Sequence, residues 1–257
     1  EQESIEEKSV VILTDGKLLS QLRRELNAAY IENYREIIFK GKDLKEKSED
    51  ILKFVRDLIA LEVLELDSTK IMTRDFLDME KVSITQLVKK MDIIVRSMLK
   101  DCTGSFTEKN AENIQLRDHD VNRISFLLYR VIRYGMRNQS KIFKNYNLTA
   151  VDLLNYYWMT FHLEVIADEA KRIARSMQKS PISKVKQQEF IALVKQAESF
   201  YLDMIKAYYD TNKERAFELS NRKAPLISAV NKFYDGIKDT KDISYMVDRF
   251  RRLVSSI

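Results

Sequence analysis

Short β-branched runs and longer helical repeats alternate through the first part of the chain. Ser9–Leu13 (SVVIL) and Glu36–Phe39 (EIIF) read as strands, closed by Asp15-Gly16 and Gly41. Between them Leu18, Leu19, Leu22, Leu26 and Ala29 recur at helical spacing. Asp43 followed by Glu46 predicts a capping box, opening a helix through Ile51, Phe54, Val55, Leu58 and Leu61. Val63–Leu66 and Lys70–Thr73 flank Asp67-Ser68 and predict a hairpin. This order predicts a small sheet with helices packed on one face, over residues 9–77. Residues 1–8 are polar and unpatterned, and read as disordered or as a remnant of processing or cloning.

From Asp78 onward only helical periodicity remains. Ser83 with Gln86 predicts one helix start, with Leu87, Met91, Ile94, Met98 and Leu99 along its face. A loop at Thr103-Gly104-Ser105 precedes a second helix over about 112–136. Asn145–Leu148 is the next break, and Thr149 with Asp152 caps a third helix to about Ser180. Pro181, after a capping serine, opens a fourth helix, and Thr211 with Glu214 caps a fifth in which Pro225 predicts a kink or break. A sixth runs from Asp242 to the end. The longest would span about 45 Å. The fold class is therefore α+β: a small α/β domain, then an all-α bundle of six helices over 78–257, arranged as two three-helix units.

Composition narrows the picture. Only five Gly and two Pro in 257 residues favour long helices and exclude a glycine-rich phosphate loop. Charged residues reach 32%, yet the net charge is only +5, so most charge belongs to solvated helix faces. Cys102 is the single cysteine; it forms no internal disulfide and fits a reducing cytoplasm. No apolar run approaches the ~18 residues of a membrane span. No GxSxG turn is present, and no catalytic constellation stands out.

The pentad Glu164-Val165-Ile166-Ala167-Asp168 carries the chemistry. Its acids lie one turn apart on a side that continues back through Phe161, Tyr157 and Leu154, a side read as facing inward. Two acids on an apolar stripe require a metal ion, an arginine or water. Asp118 and Asn122, at the same spacing on the preceding helix, supply facing oxygen ligands suited to hard or borderline ions. The competing reading is ion pairing, with Arg172 one turn after Asp168 and Arg123 and Arg130 on the neighbouring helix. His119 and His162 point away from these faces and read as surface or structural. Tyr156, Tyr157, Trp158 and Phe161 read as bundle core, and Arg249, Arg251 and Arg252 as a solvated face.

Two segments resemble a known family. LEVIADEAKRIA (Leu163–Ala174) is similar to the ERxxDxAxxIA signature of PhoU domains, helical regulators tied to phosphate uptake, and RDHDVNRISFLLYRVIR (Arg117–Arg133) resembles the preceding PhoU helix with its paired acids. Leu58–Asp78 and Met91–Asp101 are similar to archaeal PhoU-like proteins, in which an AbrB-type DNA-binding domain usually comes first. The resemblance covers Leu58–Ala174 and fades in the last third. It implies a cytoplasmic regulator rather than an enzyme, and a bound divalent or trivalent metal ion, iron or zinc, at Asp118, Asn122, Glu164 and Asp168. It implies as partners a phosphate transporter or signalling protein, and DNA only through a missing N-terminal domain; long helix faces with exposed Leu, Met and Phe predict pairing with a second copy, a homodimer. Asn122 stands where the motif wants an acid, Val165 where it wants arginine, and Asp248 with Arg252 breaks the second acidic pair. Two alternatives stay open: the sensor and dimerisation module of a transcription regulator, and a carboxylate-bridged metalloenzyme, against which the missing ExxH motif weighs.

Overall fold

A computed structural model describes residues 8–106, 110–237 and 241–257, with Lys241 by its backbone only. Strands β1 (Ser9–Leu13) and β2 (Glu36–Lys40) pair in parallel, connected through helix α1 (Leu19–Ile31). A parallel pair needs such a crossover. After α2 (Leu44–Arg56), the hairpin of β3 (Leu61–Leu66) and β4 (Lys70–Asp75) completes a sheet of order β1-β2-β4-β3. The hairpin turn is held by Asp67 Oδ1, which accepts from the backbone N–H groups of Thr69 and Lys70 at 2.7 and 2.8 Å.

Strand alternation sorts the sheet's two faces. Ile12, Ile37, Phe39 and Ile71 are buried with Leu22 and Leu26 of α1 and Ile51 and Val55 of α2. Each such side chain contributes about 1.5–3 kcal/mol when fully buried. Val11, Leu13, Leu64 and Leu66 are exposed. The predicted capping box at Asp43 does not form: its carboxylate accepts from Thr14 Oγ1 and Lys47 Nζ instead, both at 2.5 Å. A Cβ at Gly41 would overlap Thr14 Oγ1, so glycine is required where this loop closes.

Contacts divide the chain into two compact units. The first joins the sheet region through Val88 with residues 123–158. That second segment holds the C-terminal half of α4 (Asn110–Arg137), the short α5 (Gln139–Tyr146) and the start of α6 (Ala150–Lys179). Phe126 packs on the sheet core. The Arg130 guanidinium, fully buried, grips the buried Asp75 carboxylate with Nη1 at 3.0 Å and a second bond from Nη2. Its Nε donates to Asn33 Oδ1 at 2.7 Å, and it lies 4.4 Å from the centre of the Tyr30 ring. Arg133 and Arg137 both pair with Glu32. Helix α5 is absent from the sequence reading; it ends at Asn147 in a left-handed conformation (φ 53°), which asparagine tolerates. The capping box at Thr149 and Asp152 forms as predicted, with reciprocal bonds of 3.2 and 2.8 Å.

The second unit comprises residues 89–122 and 159–257. It takes in most of α3 (Ile84–Cys102), then α7 (Lys184–Tyr209), α8 (Lys213–Ser220), α9 (Lys223–Asp235) and α10 (Lys241–Ser256). Phe190 sits at an aromatic centre with Phe233 and Phe250, 5.3 and 5.5 Å away between ring centres. Buried Asp92 ties α3 to α7, accepting from Tyr201 Oη at 2.7 Å, Tyr209 Oη at 3.2 Å and both Nε and Nη2 of Arg96. The fifth predicted helix is two. The chain breaks at Asn221-Arg222, and Pro225 falls in the first turn of α9, where its missing N–H costs nothing. Asn212, not Thr211, caps α8, and Ser183, not Ser180, caps α7. The described residues after Asp78 thus form eight α-helices rather than six. The molecule is α+β, a small four-stranded region followed by a largely helical part.

Candidate functional site

The four sequence-predicted site residues lie in the second unit, Asp118 and Asn122 on α4 and Glu164 and Asp168 on α6. The side of α6 that carries them does not continue inward. Leu154, Tyr157, Trp158 and Phe161 are 41–52% exposed, contrary to their reading as core. The buried face is instead Leu163, Ile166, Ala167, Ala170, Ile173 and Ala174. Apolar residues surround this helix on several sides, so periodicity alone points to no single face; the small alanines mark the one that packs closely.

Spacing then builds the site as two facing polar stripes. On α6, Glu164, Asp168, Lys171 and Arg175 recur at i, i+4, i+7 and i+11; on α4, Gln115, Asp118 and Asn122 recur at i, i+3 and i+7. The stripes meet rung by rung. Arg175 Nη2 donates to Gln115 Oε1 at 2.6 Å, and Lys171 Nζ donates to Asp118 Oδ2 at 2.7 Å. Lys171 Nζ also lies 2.8 Å from Asp168 Oδ1, bridging the two carboxylates across the helix pair. Asn122 Nδ2 donates to the same Asp118 oxygen at 3.2 Å. Arg172 Nη2 holds the other side of Asp168 at 2.5 Å. Asp118 is 6% exposed, so its bond to Lys171 is better screened from water than the half-exposed Arg172–Asp168 pair.

The structure thus brings Asp118, Asn122 and Asp168 together, with Glu164 close enough to feel both acids. Burial, then the charges of Asp168 and Asp118, raise the Glu164 carboxyl above the usual carboxylate range. Burial works against the charge on Lys171, but hydrogen bonds to Asp118 and Asp168 outweigh it and raise its pKa. Among the described residues, no group of three or more His, Cys, Asp and Glu side chains is arranged to hold a metal ion. Of the arginines weighed as partners, Arg172 takes that role. Arg123 instead donates to the Asp57 carbonyl at 3.3 Å, and Arg130 serves Asp75. Lys171 is the residue of this cluster that is not among the candidates read from the sequence. Its signal was present: it falls seven positions after Glu164, on the same face.

An open pocket of about 430 Å³ adjoins the ladder, lined by Leu116, His119 and Asp120 as well as the paired residues. His119 therefore faces this hollow. On the other side of α6, buried Glu169 lies 3.5 Å from Arg172 Nη1 and 3.3 Å from Arg249 Nη1, and burial raises its pKa. Arg249 is thereby drawn inward, to 14% side-chain exposure, rather than solvated as predicted.

Among the described residues no helix is long and apolar enough to cross a membrane. No curated protein and no solved structure matches the chain. Residues 88–177 match the family model of the PhoU domain, a stretch that runs from α3 into α6 and contains the whole polar ladder, which supports a PhoU-like assignment for that part of the chain.

Proposed function

We propose that this chain is a PhoU-like regulator of phosphate uptake that works by binding partner proteins, not by catalysis. The match of the PhoU domain to residues 88–177 carries this reading. The surface chemistry supports it. Val151, Leu154, Tyr157 and Trp158 make an exposed apolar stripe along the part of α6 that belongs to the first unit, of the kind that protein partners cover. In this reading a phosphate transporter, or a signalling protein attached to it, engages the bundle and is held inactive when phosphate is plentiful. The chain acts as a homodimer and without entering the membrane.

The test is deletion of the gene in its host, followed by uptake of radiolabelled phosphate in phosphate-replete cells. Uptake that no longer falls under replete conditions supports the proposal, and restoration by the wild-type gene assigns the effect to this chain. Unchanged uptake in the deletion strain refutes it.

A further inference from the structure

The acidic pairs that would gather a metal ion in a PhoU-type bundle meet a different cation here. We propose that the ammonium of Lys171 is a built-in replacement for the metal ion, so that α4 and α6 of this chain are clamped without one.

Three observations carry this. First, Lys171 Nζ makes bonds of 2.7 and 2.8 Å to carboxylates from the two facing helices, Asp118 and Asp168. An oxygen-bound zinc would sit about 2.0–2.2 Å from the same atoms, so ammonium and ion compete for one position. Second, the remaining groups are turned to other work. The Asn122 amide donates to Asp118 through its nitrogen, and Arg172 closes the second oxygen of Asp168. Third, charge is nearly balanced: Asp118, Glu164 and Asp168 face Lys171 and Arg172. A divalent ion added to this set would overshoot neutrality and repel the two fixed cations.

A tethered cation also changes what the site can do. A metal-held pair of helices separates when the metal is withdrawn; an ammonium on the same chain is always present. The clamp is then indifferent to metal supply, and any switching must come from a partner.

Zinc and manganese titrations of the full chain, with metal content measured by mass spectrometry, test the proposal. Wild-type protein is expected to take up neither ion stoichiometrically. Lys171→Met leaves the acids facing one another, and is expected to tighten Zn²⁺ binding at least about tenfold, equivalent to about 1.4 kcal/mol. Its melting temperature is expected to fall without metal and to recover when Zn²⁺ is added. A stoichiometric ion on wild-type protein, lost in both Glu164→Ala and Asp168→Ala, overturns the proposal. So does a folded Lys171→Met that gains no affinity. Should Lys171→Met not fold, the wild-type measurement beside Glu164→Ala and Asp168→Ala decides alone: no uptake in any supports it, uptake confined to wild type overturns it.

Discussion

Replacing Arg130 by methionine removes the cation at the centre of the first unit and leaves a buried carboxylate behind. The side chains of Arg130 and Asp75 are 1% and 2% exposed, so water cannot take the guanidinium's place. Breaking one partner of a buried pair costs about 3–5 kcal/mol. Asn33 also loses its donor and Tyr30 its stacked cation, each a loss of about 1 kcal/mol. Against this, the half-exposed Arg35 lies 3.6 Å from Asp75 and recovers part of the loss. The balance is a destabilisation of about 4 kcal/mol. Urea unfolding followed by the fluorescence of Trp158, the sole tryptophan and a residue of the same unit, reads it directly. At a slope of about 2.5 kcal/mol/M the midpoint should fall by roughly 1.5 M. The double variant Arg130→Met with Asp75→Leu should regain most of that, because two apolar side chains leave no charge stranded. A loss below about 1 kcal/mol in the single variant, or a double variant as weak as the single one, refutes the reasoning.

Two further outcomes follow from the second unit. Cys102 is buried, its thiol donates to the Ala170 carbonyl at 3.3 Å, and burial pushes its pKa up to about 12; it should resist a thiol reagent at pH 8 and react fully in denaturant, and rapid labelling of native protein would contradict its placement. Glu164→Gln should stabilise the protein near neutral pH by at least about 0.5 kcal/mol, the scale of a like-charge repulsion one turn apart. The sign follows from the raised Glu164 pKa: the native state holds the proton more tightly than the unfolded chain, so wild-type stability declines as pH rises from the ordinary carboxylate range through the raised value. Melting curves from pH 4 to 8 should therefore be flatter for the variant, and parallel curves would show that the carboxyl is solvated.

Local signals determine the structure where one short-range rule dominates. β-branched runs, turn dipeptides and the Thr149–Asp152 box all produce the predicted elements, because each depends on neighbours within a few positions. Tertiary competition explains the failures. Asp43 has the right spacing for a cap, but Thr14 and Lys47, distant or differently placed, claim its carboxylate. Tyr157, Trp158 and Phe161 have core-like chemistry, but the alanine face of α6 packs more closely and turns them outward. In the candidate site, the acids and their facing helices were legible from one-turn spacing. The identity of the counter-charge was not, because a lysine on a charged helix is ordinary until the partner helix is seen.

The sheet has two unequal rims. On β3 the register slips between Val63 and Glu65, a bulge that spoils the row of free backbone groups for any visiting strand. Along β1 there is no such interruption: Ser9–Leu13 pairs in unbroken register with β2, and among the described residues it pairs on that side alone. Exposed backbone hydrogen-bonding groups beside Val11 and Leu13 make this the rim where a stray strand would add first, so a charged residue at either position would guard against aggregation without touching the interior.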